Sequence, residues 1–188
     1  MRLLSEQDPG VPLAVDDDEL VRQAQRDLRA FAPLYRRFAV RVYRYVYSRV
    51  SNVADAEEIT SQVFVDAMQG LQRYRPRGSF AGWLLAIARR RCADHYRRRV
   101  HSPLRDDLAD ASSRSPMDQA LRNEALQGLA RVLEKLSEQE RELLRLRYAA
   151  ELSHREIGYL LGRNEGAIKT AMSRLMHKAR ALWEAEHV

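Results

Sequence analysis

At 188 residues, with 45% hydrophobic and 31% charged positions, the chain has ordinary soluble-protein composition. It is long enough for one sizeable core or two small ones, and disorder throughout is excluded. A single cysteine, Cys92, excludes an internal disulfide framework and a Cys-rich zinc site and fits a reducing cytosol. The formal net charge of +6 and a pI near 9.8 lean towards a polyanionic partner, but an anionic membrane would satisfy them equally, so the location of the charge has to decide.

Residues 1–18, with Pro9, Gly10 and Pro12 ahead of Asp16, Asp17 and Asp18, read as a loose tail running into a helix start. The N-terminus shows no hydrophobic signal core and no apolar run approaches membrane-spanning length, so neither export nor membrane insertion is expected. From Glu19 the pattern turns helical, through Leu20, Val21, Ala24 and Leu28 and then Phe31, Leu34, Tyr35, Phe38, Val42, Tyr45 and Val46, with Pro33 at or near a helix start. Asp55 and Glu58 frame a further helix whose apolar stripe is Ile59, Val63, Phe64, Ala67, Met68 and Leu71. Asp55, Glu57, Glu58, Gln62 and Asp66 form its acidic and polar side.

A turn-like stretch from Tyr74 to Ser79, containing Pro76 and Gly78, leads into the helix FAGWLLAIARRRCADHYRRR. There Phe80, Trp83, Leu84, Ile87, Ala88 and Cys92 share a face. Arg89, Arg90, Arg91, Arg97, Arg98 and Arg99 are set against a single acid, Asp94, a density suited to a phosphate backbone, although arginine-rich helix ends are often simply solvated. For Trp83, core packing is the favoured role. Residues 101–118 hold two prolines and four serines without an apolar period and read as a flexible linker.

The run from Leu136 to Leu182 reads as a short helix, a second short helix, a tight turn and a long basic helix, the pattern of a DNA-reading helix-turn-helix. Ser153 and Glu156 make a capping box, Gly162 suits a left-handed helix end, and Asn164 suits the next N-cap. In the last helix Ile168, Met172, Leu175, Ala179 and Leu182 make one buried stripe. The other face offers Arg163, Lys169, Thr170, Ser173, Arg174, His177 and Lys178 to phosphates and base edges. A solvated basic helix of an ordinary bundle is the bland alternative, weakened by the capping box, glycine turn and basic face occurring together.

The predicted architecture is therefore all-α: two small helical domains, residues 19–100 and 119–188, joined by the flexible linker, the second a helix-turn-helix. In order and spacing, DAEEITSQVFVDAM, FAGWLLAIARRRCADHYRRR and LSEQERELLRLRYAAELSHREIGYLLGRNEGAIKTAMSRLMHKAR resemble conserved regions two and four of bacterial sigma factors. The short linker, with no region-three domain, resembles the extracytoplasmic-function (ECF) group. A cytoplasmic, non-enzymatic protein without cofactor or metal is expected, and the resemblance implies its role. It would bind core RNA polymerase through the beta-prime and beta subunits, direct it to promoter DNA and help to open the duplex, with an anti-sigma factor as a further partner.

On the same resemblance Asp55, Glu57, Glu58, Gln62 and Asp66 meet the polymerase. Tyr74, Arg75, Arg77, Ser79, Phe80, Arg90, Arg97 and Arg98 serve the minus-ten element, where an unstacked base is captured. Arg163, Asn164, Lys169, Thr170, Ser173, Arg174 and Lys178 read the minus-thirty-five element in the major groove. A helix-turn-helix regulator that binds DNA without polymerase is the alternative; it would share the C-terminal block but leave the two region-two blocks unexplained. The five histidines have no regular metal spacing, and no phosphate loop or nucleophile motif appears, so an enzyme is disfavoured.

Overall fold

The computed structural model describes residues 16–75, 78–99 and 126–186, and among them every regular element is helical. Helix α1 (Asp17–Arg26) begins with Asp17, Asp18 and Glu19 and ends on Arg26, charges that complement the helix dipole at both ends. It buries Leu20, Val21 and Ala24. Asp27 caps a single helical turn, and α2 (Ala32–Val50) follows with Pro33 in its first turn, where a missing N–H costs nothing. Leu34, Phe38, Val42, Tyr45, Val46 and Val50 then point into the core.

Ser51 takes the left-handed conformation (φ 55°) and turns the chain into α3 (Val53–Gly70). The Asn52 side chain caps that helix by accepting from the Asp55 N–H at 2.9 Å, so α3 starts two residues ahead of Asp55. After one turn at Leu71–Arg73, α4 (Phe80–Arg99) completes the first module. Phe80, Leu84, Ala88 and Cys92 of the expected face of α4 are buried and Trp83 and Ile87 half-buried, while Ala81 and Leu85 widen it, because α4 packs against both α2 and α3.

The linker expected at 101–118 lies outside the described residues. Helix α5 covers residues 126–134 and α6 spans Glu138–Leu144, the latter started by a second capping box, Ser137 with Glu140. A widened turn at Arg145–Ala149, closed by Ala150 N–H on the Arg145 carbonyl at 2.9 Å, leads through Glu151 (φ 55°) to α7 (His154–Leu161) and α8 (Glu165–Glu186). The two modules pack on each other. Leu143, Leu146, Ala150, Leu152 and Ile157 of the second are continuous with the Phe38, Tyr45 and Leu84 core of the first.

Candidate nucleic-acid and polymerase interfaces

The helix-turn-helix forms as its sequence predicts. The Ser153 hydroxyl accepts from the Glu156 N–H at 3.2 Å, and the Glu156 carboxylate accepts from the Ser153 N–H at 2.7 Å. Gly162 ends α7 at φ 65°, ψ 32°, and Arg163 N–H returns to the Gly158 carbonyl at 2.8 Å. Asn164 caps α8 by accepting from Ala167 N–H at 2.7 Å.

One determinant of this turn was missed by periodicity and capping. A Cβ on Gly158 would lie 2.6 Å from the Arg163 carbonyl oxygen, so α7 and the turn approach at a distance only glycine permits. Ile168, Met172 and Leu175 are buried beneath α8, while Arg163, Asn164, Lys169, Thr170, Ser173, Arg174 and Lys178 are all exposed. Lys169 pairs with Glu165 at 2.7 Å, and Lys178 donates to the Glu140 carboxylate of α6 at 2.8 Å. Arg163, Asn164, Thr170, Ser173 and Arg174 complete an exposed polar and basic face along the turn and the start of α8.

The residues expected at the minus-ten element separate into two layers. Phe80 is buried at 1% exposure and Tyr74 at 5%, stacked edge-on to each other at 5.7 Å, with Trp83 4.9 Å from Tyr74. Above them Tyr74, Arg75, Ser79, Gly82, Trp83, Ala86, Tyr159 and Leu160 line an open cleft. The Tyr74 hydroxyl is buried and has no hydrogen-bond partner among the described residues, and burial pushes it up to about 12. Ser79 caps α4 by accepting from Gly82 N–H at 3.0 Å, and Arg75 is exposed and folds back on the Gln72 and Tyr74 carbonyls at 3.1 Å. Arg90, Arg97 and Arg98 are exposed along α4, Arg97 paired with Asp94; Arg77 lies outside the described residues. Trp83 is half-buried and both packs and lines the cleft.

The polar side of α3 is less uniform than its sequence suggests. Glu58 is exposed and accepts from Gln62 at 2.8 Å, whereas Asp66 and Asp55 face α4, the first bound by Arg91 and the second 3.4 Å from His95 Nε2. Glu57 is half-buried near Tyr43, whose hydroxyl is raised by burial and by that carboxylate.

Residues 34–101 match sigma-70 region 2 and residues 126–178 match sigma-70 region 4, so both matched regions fall on the modules just described. The chain is 36% identical over 162 residues to the ECF RNA polymerase sigma factor BldN of Streptomyces coelicolor, an alignment covering 83% of this chain and 61% of BldN. It is 31% identical over 162 residues to the ECF RNA polymerase sigma factor SigK of Mycolicibacterium vanbaalenii, covering 82% of this chain and 83% of SigK.

Among solved structures it resembles CnrH in complex with the cytosolic domain of CnrY, with a TM-score of 0.67 and 26% identity over 90% of this chain and 97% of that one. It shares the fold of the sigma factor RpoE from Bartonella quintana, solved with the anti-sigma factor NepR, at a TM-score of 0.60 and 19% identity over 82% of this chain and 96% of that one. Two regions in sigma-factor order, on two helical modules that end in a helix-turn-helix, place the chain in the ECF sigma factors of RNA polymerase.

Proposed function

We propose that this sigma factor docks on core RNA polymerase through the beta-prime and beta subunits in the cytoplasm, carries it to promoters and assists melting. The docking surface is the exposed polar side of α3 around Glu58 and Gln62. The basic face of α8 reads the minus-thirty-five element as duplex, with Lys169, Thr170, Ser173 and Arg174 towards base edges and phosphates. The cleft over Tyr74 and Trp83 receives an unstacked base at the minus-ten element. Extrusion of a base costs a few kcal/mol, which stacking and edge contacts offset while arginines such as Arg90 and Arg98 hold flanking phosphates.

The observation that carries the reading is one chain holding both an exposed basic face on α8 and an aromatic-lined cleft, one suited to duplex and the other to a single base. A regulator acting without polymerase would need only the first. The chain's part is binding and positioning, with no chemical step of its own. A protein partner of the anti-sigma kind belongs to the same proposal; CnrH, 26% identical to this chain, is solved in complex with a protein, the cytosolic domain of CnrY. The test is run-off transcription with purified core polymerase on a library of promoter fragments. Transcripts should appear only when the chain is added, and their absence from every fragment overturns the proposal.

A further inference from the structure

The basic helix α8 begins with an acid. Glu165 is the sole carboxylate between Gly162 and Leu182, a segment whose other charged residues are Arg163, Lys169, Arg174, Lys178 and Arg180. A negative charge on a surface that meets phosphates lowers affinity for every duplex alike, so it calls for a reason. Capping is not that reason, because Asn164 already caps α8 by accepting from the Ala167 N–H at 2.7 Å. Glu165 instead pairs with Lys169 one turn on, Oε1 to Nζ 2.7 Å, with both side chains about half exposed. The hydrogen bond from Lys169, with its positive charge and that of Arg155, holds the Glu165 carboxyl below the usual range, so it meets DNA as an ionised acceptor.

Gly166 gives a second, independent observation. A Cβ there would meet only Asn164 Oδ1 among the described residues, at an ordinary 3.6 Å, so packing does not demand a glycine, a residue that weakens a helix. Its exposed backbone lets a surface from outside approach the first turn of α8 closely. In a helix-turn-helix the N-terminal residues of the second helix are the ones that contact base edges. Glu165 and Gly166 lie at that end, one turn before Lys169 and Thr170.

We propose that Glu165 is a specificity-determining residue, its carboxylate accepting from the N4 amino group of a cytosine in the major groove while Lys169 serves a neighbouring guanine. The inference rests on the proposed reading of a duplex element by α8. The chemistry of the base edges selects cytosine. Guanine presents N7 and O6 there and thymine O4, acceptors that repel a carboxylate, and adenine offers its N6 amino group but sets N7 beside it. Cytosine alone gives a donor with no acceptor next to it. Lys169 complements this choice, since a lysine donates to guanine O6 and N7. Stacked base pairs lie about 3.4 Å apart, close to the 2.7 Å between the two side-chain heads. Opposite a wrong base the carboxylate faces an acceptor, so Glu165 works by rejection as much as by attraction.

The experiment selects duplexes from a pool randomised across the minus-thirty-five element, using the full chain both alone and with core polymerase, and compares the unmodified sequence with Glu165→Gln and Glu165→Ala. The unmodified protein should favour cytosine at one position by about tenfold. Glutamine pairs with adenine through N6 and N7, so Glu165→Gln should move the preference at that position from cytosine to adenine, while Glu165→Ala should flatten it. Both variants should bind a scrambled duplex more tightly, because a charge that repels phosphate has gone. Identical base preferences in all three proteins, whether or not the variants melt lower as the loss of a helix-dipole charge predicts, overturn the assignment of Glu165 and leave the duplex reading of α8 intact. If the unmodified protein enriches no base at any position, alone or with polymerase, the duplex reading of α8 fails and the assignment with it.

Discussion

Asp66 of α3 and Arg91 of α4 are joined by two parallel hydrogen bonds, Arg91 Nε to Asp66 Oδ2 at 2.6 Å and Nη2 to Oδ1, with both side chains about three-quarters buried. The fork ties two helices of the first module together, so a carboxylate expected to greet polymerase is already committed. Glu58, exposed and partnered by Gln62, carries no such duty. Glu58→Arg should therefore weaken binding to core polymerase with stability kept within about 0.5 kcal/mol. Asp66→Arg should also weaken it, but with a loss of about 1–2 kcal/mol of stability from the broken fork, seen as a lower Tm. Surface-plasmon binding to core alongside melting curves separates the two. Unchanged affinity in Glu58→Arg places the polymerase contact elsewhere.

Gly158→Ala tests the geometry of the helix-turn-helix without touching a DNA-facing side chain. The added methyl group would meet the Arg163 carbonyl oxygen at 2.6 Å, and because that atom is backbone it can be relieved only by moving the turn. The expected cost is about 1–3 kcal/mol, as for other overpacked sites. Duplex minus-thirty-five affinity should fall, measured by anisotropy below the melting range. Wild-type affinity in a stable variant would show that the turn has slack.

What the sequence reveals and what it hides follow from the range of the interactions. Ser153 acts on Glu156 and Asn164 on Ala167, each three residues on, and Gly162 acts through its own backbone, so their roles are legible from spacing, as is the Ile168, Met172 and Leu175 stripe. Glu142 looks like one more solvated acid in a charged helix, because its partners Tyr45, Arg49 and Arg89 are 97, 93 and 53 residues away. Gly158 is equally silent, since its constraint comes from a backbone that returns only after the turn. Tyr74 and Phe80 were expected to serve a loop, whereas both side chains are buried, Tyr74 against the cleft and Phe80 behind it. Periodicity cannot distinguish a buried position from an exposed one in a stretch rich in turn residues such as Pro76 and Gly78. Asn52 capped α3 unnoticed because Asp55 and Glu58 offered a second plausible helix start three residues later.

Tyr74 allows its aromatic body to be separated from its hydroxyl. With that hydroxyl buried and unpartnered among the described residues, Tyr74→Phe should leave stability unchanged or slightly higher. Tyr74→Ala opens a hole beside Phe80 and Trp83 and should cost about 3–5 kcal/mol. If the hydroxyl contacts the captured base, Tyr74→Phe will lower the yield of open complex while its Tm holds. Equal open-complex yield, followed by permanganate reactivity, would confine Tyr74 to a packing role.

Acid should act on the contact between α7 and the first module through Glu156. Burial raises this carboxyl, but hydrogen bonds from Ser79 and Ser153 outweigh it and hold the group below the ordinary glutamate value. A depressed folded value means that the stabilisation is complete above the unfolded value and is lost as pH falls through the folded one. Melting temperature should fall across that acidic window, and Glu156→Gln should show a shallower decline there. An identical slope in the variant would assign the acid sensitivity to other carboxylates.

The two DNA-facing parts should fail in different ways. Lys169 and Arg174 stand on the exposed face of α8, so replacing both with alanine should cost about 1–3 kcal/mol per base contact, or less for phosphate contacts alone, and flatten the salt dependence of promoter binding. The loss persists wherever the minus-thirty-five element must be read as duplex. Tyr74→Ala damages the cleft, whose work is to stabilise an extruded base, and part of the cost of extrusion disappears when the template already carries an unpaired bubble. Phe80→Ala shares that logic, but Phe80 is 1% exposed, so its variant must be read below its own melting range. Transcription from paired and pre-melted templates should show the bubble rescuing Tyr74→Ala and leaving the Lys169→Ala, Arg174→Ala double variant impaired. Equal rescue of both would mean that duplex recognition and melting are not divided between α8 and the cleft.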